Sequence, residues 1–365
     1  MRPEFLTKTL LFLACGVATL PLVAQPSAPI STSASVAAAA GASAAAEAGT
    51  QQPERNVSEW LLRMHNASRK RAYVGTFVVS SGSGNLSSAR IWHVCNGEQQ
   101  MERVEALTGT PRSTFRHNDH VITFLPESRV AQSERRESLG LFPNLLQTGD
   151  SSIPEFYGAK RIGSERVAGF DADVVRLVPK DKLRYGYRIW SEKKSGLVVK
   201  LQTLDTDGSV LEQAAFSELQ LDAPVRMDKL AAMMANTGGY RLEKIEMQKT
   251  TALAEGWALK GDVPGFKPMS CFKRPAGGVN AAFGATDARV ASPDGTLQWI
   301  FSDGLASVSL FVENFDPRRH SHEGFMAMGA TQSLSQHVSD WWVTVVGEVP
   351  PQTLKAFAQA LERRK

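Results

Sequence analysis

The stretch that decides the fold class is residues 184–216, which read RYGYRIWSEKKSGLVVKLQTLDTDGSVLEQAAF. Large apolar side chains take every second position in two segments of it: Tyr185, Tyr187 and Ile189, then Leu197, Val199 and Leu201. Arg184 and Arg188 lie on the opposite face of the first segment, because successive side chains of a strand point to opposite sides. Residues 205–208 supply the turn that leads into a last strand. The pattern predicts an antiparallel meander with one face in water.

A helix and further strands are predicted upstream of this meander. Asn56 and Glu59 have the spacing of a capping box, which begins a helix. Apolar residues follow at helical spacing to about residue 68: Val57, Trp60, Leu61 and Met64. Residues rich in aromatic and β-branched side chains then predict four strands, at 73–80, 88–94, 100–107 and 120–125.

Residues 127–154 have a different character. A charged run is followed by an apolar cluster that includes Leu141, Phe142 and Leu145 and is edged by Gly and Pro. This predicts a helix or a covering loop over the sheet. The three apolar residues either fill the core or form a mobile lid over an apolar pocket, and the sequence leaves both readings open.

The last third of the chain predicts a second, smaller α+β domain. Residues 227–234 predict a short helix within a connector. Residues 297–312 form a hairpin around Ser302-Asp303-Gly304, and 341–346 predict another strand. Pro350 and Pro351 open a terminal helix with one apolar face and a basic end. That face consists of Leu354, Phe357, Ala358 and Leu361, and the basic end of Arg363, Arg364 and Lys365.

The first 52 residues predict export and a tether. Residues 1–24 have a positive start and an apolar run that is shorter than the roughly 20 residues a membrane span needs, as in a signal peptide. A lipoprotein signal that ends at Cys15 is the alternative. Residues 25–52 are rich in Ala, Ser and Pro and predict a disordered tether. Folded sequence then divides into a first domain at 53–222, a linker at 223–241 and a second domain at 242–365.

Composition and motifs argue against several function classes. The net charge of +4 over 365 residues is small and dispersed, which disfavours nucleic-acid binding. The sequence contains no GxSxG elbow and no Walker loop, and we predict neither an enzyme nor a cofactor or metal site. His320 and His322 are expected to be solvated loop residues. Arg69-Lys70-Arg71, a dense basic patch, is either a solvated helix end or a contact for anionic lipid or an acidic partner.

Two cysteines remain after removal of a signal peptide. Cys95 and Cys271 form an even pair in an oxidising compartment, where paired thiols become disulfides. A bond between them would fasten the two domains together. The alternative is that both are buried free thiols, which cysteine tolerates well.

Several segments resemble the RseB/MucB family of periplasmic sigma-E regulators. They are residues 187–190 (YRIW) with 197–200 (LVVK), 205–208 (DTDG) with 211–213 (LEQ), 302–305 (SDGL), and 346–353 (VGEVPPQT). The resemblance runs from the first helix to the C-terminus. It implies an α+β fold: an N-terminal domain like the carriers LolA and LolB, with a half-open antiparallel barrel wrapped around helices, and a smaller α+β C-terminal domain.

The family also implies a function and partners. Its members bind the periplasmic domain of an RseA/MucA-type anti-sigma factor and shield it from the site-1 protease, and lipopolysaccharide or another lipid releases them. They self-associate and reside in the periplasm. A lipid or lipoprotein carrier of the LolA/LolB type is the alternative function, although such carriers have one domain.

A concave first domain with aromatic inner positions is expected to take an apolar ligand. Its candidate lining was selected by size and strand alternation: Tyr73, Phe77, Trp92, Phe124, Phe142, Tyr185 and Tyr187. Each of these residues is either a ligand wall or plain core, because one face of every strand is buried in any case.

Overall fold

The structure is a computed structural model that describes residues 55–136, 142–143, 152–274 and 295–364. The predicted signal peptide and tether lie outside these residues, as do Leu141 and Leu145 of the proposed lid. Within the described residues, no helix is long and apolar enough to cross a membrane.

Twelve strands and three helices make up the first part of the chain. The helices are α1 (Val57–Lys70), α2 (Ile153–Phe156) and α3 (Met227–Ala235). The strands are β1 (Tyr73–Ser81), β2 (Leu86–Asn96), β3 (Gln99–Ala106), β4 (Ser113–His117), β5 (His120–Leu125), β6 (Val130–Arg135), β7 (Tyr157–Val167), β8 (Phe170–Pro179), β9 (Gly186–Glu192), β10 (Val198–Leu204), β11 (Val210–Leu221) and β12 (Arg241–Lys244).

These strands form one open sheet in the order β12-β6-β5-β4-β3-β2-β1-β11-β10-β9-β8-β7. All neighbours are antiparallel except β12 and β6, which run parallel. The expected half-open sheet is therefore confirmed. The expected helix or covering loop over 127–154 is wrong at residues 130–135, because these extend the sheet as β6. The first sheet also continues through β12, across the predicted boundary between linker and second domain.

Helix α1 forms where its capping box and apolar stripe predict it. The Asn56 side chain accepts a hydrogen bond from Glu59 N at 3.0 Å, and Glu59 Oε2 accepts one from Asn56 N at 2.9 Å. These bonds satisfy backbone donors that a helix start leaves unpaired. The buried side of the helix includes Trp60, Leu61 and Met64, which pack into the core inside the sheet.

The first sheet has an apolar core on each of its two faces. Ile91 of β2 joins the core with α1, whereas its neighbours Trp92 and Val94 belong to a smaller core that contains Leu230 and Met234 of α3. Alternation along a strand sends these side chains to opposite faces. Helices α1 and α3 therefore cover opposite faces of one sheet, and Ile153 of α2 lies on the same side as α1.

A second sheet and a fourth helix make up the rest of the chain. Its strands are β13 (Gln248–Lys249), β14 (Trp257–Leu259), β15 (Lys267–Arg274), β16 (Thr296–Ser302), β17 (Ser307–Asn314), β18 (Gly324–Met328), β19 (Thr331–Val338), β20 (Trp341–Gly347) and β21 (Leu361–Arg363); the helix is α4 (Pro351–Ala360). Seven strands form a sheet in the order β13-β15-β16-β17-β20-β19-β18, and β14 pairs with β21. The predicted hairpin at 297–312 is β16 and β17.

The terminal helix ends earlier than its apolar face predicts. It stops at Ala360, and Leu361 and Arg363 lie in β21 instead of the last helical turn. The Arg363 guanidinium sits over the rings of Trp257 and Trp341, at 5.2 and 5.0 Å from their centroids. Pairing with β14 and these cation–π contacts hold the chain extended where helix propensity alone continues it.

Candidate functional site

Three of the segments that resemble a known family, residues 205–208, 302–305 and 346–353, lie where the two sheets meet. The connection between β8 and β9 faces the turn between β16 and β17, which contains Asp303. The N-terminal end of α4 contacts the same connection: Thr353 Oγ1 donates to Leu183 O at 2.8 Å, and the Gln352 side chain donates to Lys182 O. We call this contact region the domain junction. Residues remote in sequence meet at it, so it is the candidate functional site.

Arg184 is the centre of the domain junction. Its side chain is completely buried, with Nε donating to Asp303 Oδ2 at 2.7 Å. Nη2 donates to Pro264 O at 2.7 Å, and Nη1 donates to Asp181. The guanidinium lies 4.2 Å from the ring centroid of Phe156 and 4.8 Å from that of Phe266, one ring from each part of the chain. Its charge is thus neutralised, and each of its three nitrogens donates a hydrogen bond.

Asp303 is equally well satisfied. Its Oδ1 accepts from the backbone N–H groups of Leu305 and Ala306 at 2.9 and 2.7 Å. Its Oδ2 accepts from Arg184 and from the Tyr157 hydroxyl, the latter at 3.2 Å. Burial raises the pKa of Tyr157 well above its usual range, so this hydroxyl remains a donor. One carboxylate therefore both shapes its own turn and joins the two sheets.

The expectation that Arg184 lies on a polar strand face is wrong. Strand β9 begins only at Gly186, and Arg184 precedes it with a fully buried side chain. A buried guanidinium needs partners; one is the nearby Asp181, and the fully buried one, Asp303, is 119 positions away. Local alternation holds no information about such a distant carboxylate.

Three more contacts tie the first part of the chain to the second. Gln332 of β19 hydrogen-bonds the Tyr185 hydroxyl, whose pKa burial raises to about 12. Glu212 of β11 accepts from Ala330 N at 3.4 Å, and burial raises the pKa of this carboxyl. Leu305, from the β16–β17 turn, is buried in the core of the first sheet. The junction is therefore partly a shared core.

Gly265 permits the close approach that Arg184 requires. Its φ is +80°, a conformation that other residues rarely adopt. A Cβ atom at this position would lie 2.1 Å from Arg184 Nη2 and 2.7 Å from the Phe156 ring. The glycine of Pro264-Gly265-Phe266 is thus required both by backbone conformation and by the space that Arg184 occupies.

A cleft of about 540 Å³ opens beside the junction. It is lined on one side by the 205–208 turn and by Arg176 and Lys182, and on the other by Gln352 at the start of α4. Its walls carry charges of both signs. Leu177, Val178 and Leu204 line it as well, so the cleft offers both charges and apolar contacts to an extended peptide segment.

The seven predicted pocket residues do not form one site. Tyr73, Phe77, Phe142 and Tyr187 belong to the core inside the first sheet, whereas Trp92 and Phe124 belong to the core beneath α3. Tyr185 lies at the domain junction. Phe142 packs against Phe77 and Phe216, with centroid distances of 5.6 and 4.9 Å. The inner four remain candidates for contact with an apolar ligand.

The basic patch at the end of α1 borders a polar groove of about 630 Å³. Lys70 and Arg71 line it together with Arg63, and Arg71 pairs with Asp222 at 2.9 Å. Arg63 donates to the Lys193 carbonyl, which fixes α1 to the β9–β10 turn. The patch is therefore partly structural, with Arg69 and Lys70 exposed.

Cys95 and Cys271 are both free thiols, so the predicted disulfide between them is wrong. Cys95 lies near the end of β2 opposite Gln100, whereas Cys271 lies on β15 opposite Trp299 and is buried in the second core. The two strands belong to different sheets. Burial raises the pKa of both thiols, that of Cys271 to about 11.

His320 is also not the solvated residue that the sequence predicts. Its ring stacks on Trp342 at 4.7 Å between centroids, and Nε2 lies 3.3 Å from Glu313 Oε1. Only 7% of its side chain is exposed. His322 is exposed as expected.

Comparisons with known proteins agree with this architecture. Residues 56–234 match the MucB/RseB N-terminal domain, and residues 251–362 match the MucB/RseB C-terminal domain. The sigma factor AlgU regulatory protein MucB of Pseudomonas aeruginosa is 27% identical over 313 residues, which are 84% of this chain and 90% of MucB. The sigma-E factor regulatory protein RseB of Escherichia coli K12 is 23% identical over 303 residues, 83% of this chain and 89% of RseB.

A chain of the solved MucA/MucB complex of Pseudomonas aeruginosa superimposes with a TM-score of 0.61 at 25% identity. The superposition covers 84% of this chain and 99% of the other. The two domain matches take in α1 to β11 with α3, and β14 to α4, which are the two sheets joined by Arg184 and Asp303. On this evidence the chain belongs to the MucB/RseB family.

Proposed function

We propose that this protein restrains an envelope-stress sigma factor by binding the periplasmic part of its RseA/MucA-type membrane anti-sigma factor. The bound segment is shielded from the site-1 protease, so the anti-sigma factor survives. The observation that carries the proposal is family membership across both domains, together with a relative that was solved in a complex with MucA. Binding, without catalysis, is sufficient for this role.

A periplasmic location follows from the predicted signal peptide. Sigma factors act in the cytoplasm, so an exported protein reaches them only through a partner that spans the membrane. An anti-sigma factor with a periplasmic segment is such a partner. The disordered tether that we expect at residues 25–52 leaves the folded domains free to reach it.

The domain junction provides a rigid frame for partner binding. Arg184 and Asp303 fix the β8–β9 connection against the β16–β17 turn, and Thr353 fixes α4 against the same connection. The mixed-charge cleft beside them is bounded by both domains, and we assign it to the extended partner segment. A preformed cleft loses little entropy on binding, which favours affinity.

Release by lipid is compatible with the structure because the inner core of the first domain and the domain junction have a residue in common. A lipid or lipopolysaccharide acyl chain enters the core inside the first sheet when Phe142 leaves its contacts with Phe77 and Phe216. Leu305 belongs to that same core and also to the Asp303 turn. Ligand in the core therefore disturbs the junction. The ligand can shift the equilibrium towards the disturbed junction only by its difference in affinity for the disturbed and undisturbed conformations.

The alternative function is a lipid or lipoprotein carrier. It uses the first domain alone and leaves the second domain and the buried ion pair without a role. Self-association, which the family resemblance implies, is part of the proposed function.

Binding to the anti-sigma periplasmic segment tests the proposal directly. Purified protein should bind the segment in calorimetry, and a lipopolysaccharide or acyl-chain ligand should weaken that binding and change tryptophan emission, since Trp60 lies in the inner core. If the protein binds lipid but not the segment, the proposed regulatory function is wrong and the carrier function is favoured. If lipid changes neither segment binding nor tryptophan emission, the inner residues only fill the core.

A further inference from the structure

The four edges of the two large sheets, as far as the described residues show them, are not alike. An exposed strand edge is a template for pairing with another chain, and proteins protect it with charges, bulges or short strands. Edge strand β7 has a bulge between Arg161 and Gly163. It also carries four exposed charged residues: Lys160, Arg161, Glu165 and Arg166. Strand β12 has three charged residues in four, and β13 has only two residues, one of them Lys249.

Strand β18 has none of these protections. Its five residues, Gly324–Met328, contain no charge and no proline, and all five are exposed. It pairs with β19 on one side and is the last strand of its sheet. Exposed fractions are 44% for Phe325, 73% for Met326 and 51% for Met328. This is an apolar edge with open backbone groups, the feature that strand addition requires.

The two faces of β18 differ in what surrounds them. Phe325 pairs with the core residue Leu334, and Lys355 of α4 sits over its ring at 5.3 Å. Ala327 shares that face by alternation. Gly324, Met326 and Met328 take the other face, where two methionines stand on an open sheet.

We propose that β18 pairs antiparallel with β18 of a second copy of this chain, centred on Met326. In this register all five residues are paired: Met326 lies opposite Met326, Phe325 opposite Ala327, and Met328 opposite Gly324. Each other large side chain thus meets a small residue of the partner copy. Cross-strand pairs of this kind stabilise a sheet when their sizes complement each other.

A second copy fits this edge because the strand complements itself. A two-fold axis perpendicular to the sheet pairs residues with their counterparts on the same face, and an uncharged strand brings no like charges together. The two seven-stranded sheets then continue into one another. This inference deepens the self-association within the proposed function and assigns it to the outer edge of the second sheet, next to strand β19, which contacts the first domain through Gln332.

Disulfide trapping tests the register. Directly opposed residues of antiparallel strands have Cα atoms about 4.5–5.5 Å apart, which a disulfide spans. The background is the mature chain with Cys95 and Cys271 replaced by alanine. Under mild oxidation Met326→Cys should yield a covalent dimer. Met328→Cys is the matched control, because it lies on the same strand but opposite Gly324, away from its own counterpart.

The outcome is decisive in either direction. A dimer from Met326→Cys and none from Met328→Cys supports the pairing. Equal yields from both, at the level of the unrelated exposed variant Leu253→Cys, indicate collision and overturn it. Circular dichroism of each variant verifies folding.

A measurement with native cysteines provides a second test. Met326→Lys places two ammonium groups opposite each other and should weaken self-association in sedimentation velocity by about fivefold. Leu253→Lys, with the same charge at an exposed site elsewhere, should leave it unchanged. If the unmodified chain is monomeric at all concentrations while Met326→Lys weakens anti-sigma capture, β18 receives a strand of the partner and self-pairing is wrong. If Met326→Lys does not affect capture of the anti-sigma segment, the proposed function stands whether or not the chain self-associates.

Discussion

Arg184 Nε and Asp303 Oδ2 are 2.7 Å apart, and neither side chain has any solvent exposure, although 119 positions and a change of sheet separate them. The bond joins the connection before β9 to the turn after β16. The Phe156 and Phe266 rings and the Tyr157 hydroxyl are arranged around this pair.

Replacing Arg184 by methionine should lower the free energy of unfolding by about 3–5 kcal/mol, because it leaves the Asp303 charge buried without its cation. Arg71→Met is the matched control. Arg71 pairs with Asp222 at 2.9 Å, but that pair is largely exposed, and such pairs contribute about 0–1 kcal/mol. Denaturant titration of both variants measures the difference. A cost for Arg184→Met no larger than that for Arg71→Met would show that the junction pair is not a stabilising contact.

Replacing Gly265 by alanine should disturb the same ion pair through sterics. The new Cβ would overlap Arg184 Nη2 and the Phe156 ring, in addition to the cost of a positive φ. Gly169→Ala pays only the conformational cost of about 1–2 kcal/mol, because its φ is +86° and a Cβ there meets no atom within 4 Å. Thermal denaturation should therefore rank Gly265→Ala as clearly less stable than Gly169→Ala. Equal melting temperatures would contradict the close approach at Arg184.

Stability should decline in acid partly through His93. Its ring is fully buried and stacks on Tyr73 at 4.9 Å, with Nδ1 2.6 Å from Arg71 O. Burial lowers its pKa below 6.5, although Glu102 opposes this. Below pH 6.5 the unfolded chain therefore binds more protons than the folded one, and stability falls as the pH falls from that point.

The variant His93→Gln should be less stable at neutral pH but lose less stability between pH 7 and pH 5, because residue 93 no longer titrates. His120→Gln, at an exposed site, is the matched control for replacing a histidine by glutamine. Unfolding free energies across this pH range provide the measurement. A slope for His93→Gln equal to that of the unmodified chain would remove His93 as the cause.

The sequence predicts those elements whose signals are local. The spacing of Val57, Trp60 and Met64 predicts α1, and the alternation around Tyr187 predicts β9. It fails where a distant contact decides the outcome. Arg184 is buried because Asp303 reaches it from another sheet, and Leu361 leaves the helix because β14 pairs with it. The sequence does show Arg184 just before an aromatic alternation and Asp303 in a tight turn. Nothing in either local pattern indicates that these two residues form a pair.

Cys95 and Cys271 should titrate as two free thiols in the denatured, unreduced mature protein. In the folded protein Cys271 should react much more slowly than Cys95 at pH 8, since burial holds its pKa at about 11 and little thiolate forms. Mass spectrometry after timed alkylation distinguishes the two sites. If no free thiol is found in the denatured protein, Cys95 and Cys271 are joined in a disulfide and this prediction is wrong.

The rate at which the site-1 protease cleaves the anti-sigma periplasmic segment tests the central claim most directly. The account predicts that this protein slows the initial cleavage rate in proportion to the fraction of segment bound. Arg184→Met, at a temperature where circular dichroism shows it folded, should protect less than Arg71→Met does. Cleavage at the same rate with and without the unmodified protein would contradict the account.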